Sequence, residues 1–198
     1  MWQLTEKYAW ADEDSDFVWT IAVVAAISVD ELVRVYGGDP ERSELLTFDD
    51  AWPSQEDFGT SFTVQMFTEG GYTVAIEPNG WTGDLPEIAR RASGGGSFVS
   101  AYWSMSGAYR ITEACDGKVS AHFDPFAVGY PGGMGDLQPD WIEEMAFDID
   151  RPNASCLAAV EHRTGLMIEQ DWLTRQLPTY RIPDPDLLVQ DVRNARVP

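Results

Sequence analysis

The 198-residue chain holds 33 acidic and 13 basic side chains, and its formal charge of -20 arises within residues 1–150, where 27 acids face 7 bases; residues 151–198 carry 6 of each. A surface of that sign repels nucleic-acid phosphates and anionic membrane faces and draws in basic partners, so nucleic acid and membrane are excluded as partners. With 44% hydrophobic residues, including 8 Trp, 9 Phe and 7 Tyr, the chain has the apolar area for a folded core despite its charge.

Residues 1–10 lack the basic start and apolar core of a signal peptide, and the most apolar run, 21–27, is too short to span a bilayer, which points to the cytoplasm. Cys115 and Cys156 are then expected as thiols rather than a disulfide framework. The bias toward Arg, with Lys only at Lys7 and Lys118, fits a GC-rich genome.

Residues 17–26, rich in Val, Ile, Phe and Trp, read as a strand buried on both faces. Ser28 and Glu31 then have capping-box spacing, Val29, Leu32, Val33 and Tyr36 form an apolar stripe, and Gly37-Gly38 stops the helix. Residues 39–59 gather seven acids and one Arg around two prolines and read as an ordered loop with a short helix, docked through Leu45, Leu46, Phe48 and Trp52. The β-rich runs 62–67 and 72–77 form a hairpin that turns at Gly70-Gly71. Asp84 as N-cap and Glu87 as its capping partner predict a helix through 88–92, ended by Gly94-Gly95-Gly96. Residues 97–105, 109–114 and 119–123 make an antiparallel meander with turns at Ser106-Gly107 and Asp116-Gly117.

Beyond Pro125 the pattern changes. Residues 126–136 are a Gly-rich loop, and 139–147 read as an acidic amphipathic helix with Trp141, Ile142 and Met145 inward. A helix over 154–163 lies between Pro152 and Gly165, and a short helical segment spans 171–175. Residues 177–185 carry three prolines and no period. The order of elements predicts an α+β fold: a largely antiparallel sheet of about six strands, with helices packed mainly on one face. Residues 1–176 are assigned to a single domain and 177–198 to a Pro-containing C-terminal tail with room for a short helix.

The block from Tyr72 through Glu77-Pro78-Asn79-Gly80-Trp81-Thr82-Gly83, the helix ending at Ser93 and the strand from Ser100 to Trp103 resemble an uncharacterised actinobacterial family carried as a domain of unknown function. Asp116-Gly117, Phe123-Asp124-Pro125 and residues 165–173 extend the resemblance over roughly residues 17–175. It implies a small cytosolic domain without an established activity, so it brings no catalytic residues.

Candidate sites divide into two kinds. Glu77, Asn79 and Trp81 place a carboxylate, a tight turn and an indole together at a strand end. The plain reading is that Asn79-Gly80 turns the chain, Glu77 caps backbone donors and Trp81 packs; the sharper one is a pocket with Glu77 as acid or base. The acids Asp49, Asp50 and Asp57 around Trp52, and Asp140, Glu143 and Glu144 around Trp141, read plainly as solvated faces. Their sharper reading is a docking surface with aromatic anchors for a basic protein. No metal and no cofactor is expected. Cys115, His122, Cys156 and His162 lack zinc-knuckle spacing, Cys115 falling opposite Lys118 and His122 opposite Ile111. The glycines of 129–135 follow no nucleotide motif.

The leading expectation is a non-enzymatic acidic protein that engages a basic protein partner, as an immunity or inhibitor component. The alternatives are a small-molecule-binding protein or weak hydrolase centred on Glu77 and Trp81, and a structural subunit of a larger complex. Oligomeric state stays open.

Overall fold

The computed structural model describes residues 2–13, 19–127 and 137–198. Its strands are β1 (Trp19–Val24), β2 (Ser43–Leu46), β3 (Phe62–Glu69), β4 (Tyr72–Pro78), β5 (Ser97–Trp103), β6 (Tyr109–Cys115), β7 (Lys118–Phe123) and β8 (Leu177–Ile182). They form one antiparallel sheet in the order β2-β8-β3-β4-β1-β5-β6-β7. The helices are α1 (Trp2–Lys7), α2 (Val29–Val35), α3 (Phe48–Ala51), α4 (Pro86–Ala92), α5 (Pro152–Thr164) and α6 (Pro185–Leu188), joined by several 3₁₀ turns.

β1 organises the molecule. It lies between β4 and β5 and is buried at every position. Because successive side chains of a strand point to opposite faces, Trp19, Ile21 and Val23 pack with α5, while Ala22 and Val24 pack with α2 and α4. Helices therefore cover both faces, which corrects the expectation of one covered face. The reason is in β1 itself: a strand apolar on both sides must be shielded on both.

The sheet also has eight strands rather than about six. Both additional strands hide behind unfavourable composition. β2 is short, carries Glu44 and exposes Leu45 at an open edge. β8 contains Pro178, which cannot donate to a ladder, yet the β3 pairing reaches only to Thr179, so no bond on that side asks Pro178 for a donor. The segment 177–198 thus supplies β8 between β2 and β3, then α6, and buries Val189 and Ala195 in the α2/α4 layer.

Local signals produced the expected structure where the interacting groups are close in sequence. Ser28 and Glu31 form a reciprocal capping box on α2. Gly70 and Gly71 take φ of 56° and 86°, the left-handed pair that a two-residue hairpin demands. Elsewhere the helix starts differ. Asp84 does not cap α4; it ends a 3₁₀ turn, Thr82–Asp84, and α4 begins at Pro86 with Leu85 as N-cap. Glu87 instead bonds Arg90 and Arg91 at 3.2 and 2.8 Å. Residues 139–147 hold a 3₁₀ turn, Asp140–Glu144, in place of an amphipathic α-helix, because Met145 leaves it with extended dihedrals. The glycine loop 129–135 lies outside the described residues.

Candidate functional site

Glu77 is the penultimate residue of β4, with its side chain in the α2/α4 layer, opposite Thr20 on β1, and is 1% exposed. The chain then reverses through Asn79, whose φ of 56° is a left-handed conformation that Asn tolerates. That reversal wraps the next residues around the carboxylate. Oε2 of Glu77 accepts the N–H of Thr82 at 2.8 Å and Oε1 that of Gly83 at 2.7 Å. The turn is tied down from below: Thr20 Oγ1 donates to the Gly80 carbonyl at 2.6 Å, and Ser100 Oγ to that of Gly83 at 2.7 Å. A Cβ on Gly80 would lie 2.5 Å from Glu77 Oε2, so only glycine allows so close a wrap.

Two opposing effects act on the Glu77 proton. The hydrogen bonds favour the carboxylate, but burial favours the acid and wins, pushing the group up to about 7. Burial likewise pushes Asp84 up to about 6, against the attraction of Arg110. The Tyr36 hydroxyl, inaccessible and without a hydrogen-bond partner among the described residues, is held well above its ordinary value by burial and by Glu77. Both Glu77 oxygens are engaged by backbone donors, so the first chemical role of this carboxylate is to hold its own turn. Trp81 is half-buried, edge-on to Phe62 at 5.3 Å, and its Nε1 donates to Asp186 at 3.3 Å, linking the turn to the start of α6. Thr20 and Ser100 were not singled out by sequence; a hydroxyl inside an otherwise apolar strand was their one signal.

The acids fall into two places. Thr47 caps α3, accepting the Asp50 N–H at 3.2 Å, and α3 presents Asp49 and Asp50 to solvent. A groove of about 740 Å³ runs beside it, lined by Glu44, Asp50, Trp52, Asp57, Thr63 and Arg181 among others. Asp49 does not line this groove. Asp39 is ion-paired with Arg42 at 3.3 Å, whereas among the described residues Glu44, Asp50 and Asp57 form no ion pair. Trp52 is half-buried and tilts against Phe48 at 6.0 Å.

Asp140, Glu143 and Glu144 sit at the other edge of the sheet, beside β6 and β7. Trp141 among them is buried, as its inward position in the sequence pattern predicts. It is 8% exposed, edge-on to Phe123, with its Nε1 donating to Glu113 at 2.7 Å and Arg163 lying 5.1 Å from its ring. The structure therefore separates the two acidic groups instead of joining them.

A register shift at Glu113/Ala114 places His122 opposite Thr112, not Ile111, and its Nδ1 lies 2.9 Å from Thr112 Oγ1. Cys115 is exposed opposite Lys118, and Cys156 is buried in α5. Among the described residues, no group of three or more His, Cys, Asp or Glu could hold a metal ion, and no helix is long and apolar enough to cross a membrane.

Comparison with known proteins matches residues 1–176 to the model of a family of unknown function (DUF6461). The chain belongs to that family. The DUF6461 match ends one residue before β8, the strand that sits between β2 and β3 of the same sheet. Neither the curated proteins nor the solved structures compared with the chain gave a match.

Proposed function

We propose that the protein is a non-enzymatic binding protein that engages a basic protein partner through the groove beside α3, as an immunity or inhibitor component in the cytoplasm of an actinobacterium. The observation that carries this reading is the groove: among the described residues, Glu44, Asp50 and Asp57 line it without ion-pair partners, and Trp52 stands beside them. Exposed carboxylates around a half-buried indole offer charge for encounter and apolar area for retention. The acids at the opposite edge, with Arg163 among them, add to the long-range field but lack an anchor. The reading centred on Glu77 and Trp81 has weaker support, since both Glu77 oxygens are held by the chain.

The test is capture of partners from a native lysate at low and high salt, followed by association kinetics of the identified partner. A basic partner is expected, with an on-rate that falls with salt and falls again in a triple Glu44→Gln, Asp50→Asn, Asp57→Asn variant; Trp52→Ala raises the off-rate. An acidic partner, or one indifferent to salt and to these substitutions, defeats the proposal.

A further inference from the structure

On the α5 face of the sheet a second cavity, of about 220 Å³, is lined by Trp10, Ala11, Glu13, Trp19, Phe48, Gln170 and Leu173. Three of these seven residues are aromatic. Trp19 and Phe48 meet edge to face at 77° with ring centroids 5.8 Å apart, and both line the cavity. Each ring is also braced by a further aromatic: Trp19 by Trp103 at 4.8 Å, Phe48 by Trp52 at 6.0 Å. With Trp19 at 4% and Phe48 at 2% exposure, these walls are seated before any ligand arrives, so little ordering cost attends binding. Trp10 is a third, half-buried wall, and the exposed Glu13 supplies a carboxylate at the rim.

From this arrangement we infer that the cavity is a binding site for a small organic cation of the alkylammonium class. Aromatic faces carry negative electrostatic potential and attract ammonium groups, most strongly where water is displaced. Glu13 adds a full negative charge, and the chain's charge of -20 concentrates cations and repels anions at the entrance. Size narrows the ligand further. The cavity is below the roughly 300–1,000 Å³ of sites for drug-sized ligands, so it accepts an ammonium headgroup and not a nucleotide. Trp10, Glu13 and Trp19 lie outside the groove beside α3, and the inference stands whether or not that groove binds a protein.

The test compares choline with its neutral isostere, 3,3-dimethylbutan-1-ol, titrated into the full chain by calorimetry and by NMR of the indole N–H signals. Choline is expected to bind saturably, roughly tenfold or more tighter than the alcohol, with shifts at Trp10 and Trp19. Trp10→Leu at the half-buried wall should weaken choline by roughly tenfold. Glu13→Gln, an exposed substitution that leaves folding intact, should weaken it by a few-fold and flatten its salt dependence. Equal affinity for the two probes, no saturable choline binding at millimolar concentrations, or choline affinity unchanged in both variants overturns the inference.

Discussion

The carboxylate of Asp12 caps α5 at Asn153, a residue 141 positions away in the chain. Oδ1 accepts the Asn153 N–H at 2.9 Å and Oδ2 the Ala154 N–H at 3.0 Å, while Asn153 Nδ2 returns a bond to the Ala11 carbonyl at 2.9 Å. α5 starts at Pro152, and its own N-cap residue, Arg151, provides no side-chain cap. The missing acceptor comes instead from the N-terminal segment, with a charge of the sign that the helix N-terminus favours. One contact thus completes a helix and fastens a chain end.

Asp12→Ala should therefore destabilise the fold by about 1–2 kcal/mol, the usual worth of an N-cap, with Asp12→Asn costing less because it keeps one acceptor. Urea unfolding measures the difference. Hydrogen exchange should accelerate first at Asn153 and Ala154.

The buried carboxyls set a pH dependence whose sign follows from their protons. Glu77 rises from 4.5 to about 7 on folding and Asp84 from 3.8 to about 6, so the folded chain holds these protons more tightly than the unfolded one. Their contribution is complete below the unfolded values and is lost as pH climbs through the folded ones. For Glu77 the loss is roughly 3 kcal/mol. Thermal melts between about pH 5 and pH 8 should show Tm falling with rising pH, and Glu77→Gln should make that fall shallower. Parallel profiles for the two proteins would count against a buried, titrating Glu77.

Trp141 gives a test that separates core from surface within one short turn. Trp141→Ala should cost about 3–5 kcal/mol, as for other buried aromatics. Neutralising its exposed neighbours Asp140 and Glu143 should change stability by no more than about 0.5 kcal/mol. Denaturant midpoints of the two variants decide the point.

Truncation after Gln176 should abolish folding, although it spares every residue of the family match. It removes β8 from between β2 and β3, leaving Phe62 and Val64 without their partners Ile182 and Tyr180, and Ser43 to Leu46 of β2 without their partners Tyr180 to Leu177. The expected result is loss of the cooperative thermal transition and of amide dispersion in NMR spectra.

The sequence by itself determined the elements whose decisive groups are near neighbours. The α2 capping box needs only Ser28 and Glu31, and the β3–β4 turn only Gly70 and Gly71. The five strands β1, β3, β4, β5 and β6, and β7 after them, follow from β-rich runs broken by turn residues. Part of the Glu77 site was legible for the same reason: the donors it caps lie five and six residues on.

Only the tertiary structure decided the rest, because the deciding partners are distant in sequence. Pro178 reads locally as a strand breaker and becomes tolerable where β3 stops pairing. Trp141 among acids has the same local pattern whether it is an anchor or core, and Phe123 and Glu113 settle it as core. Asp12 looks like one more acid in an acidic chain until α5 is placed beside it. The burial that lifts Glu77 comes from the layer that packs over the sheet, and the pocket walls Trp10, Trp19 and Phe48 come from three separate elements. Capping and turn hydrogen bonds act over a few residues of sequence; burial and shape depend on which surfaces the completed sheet brings together.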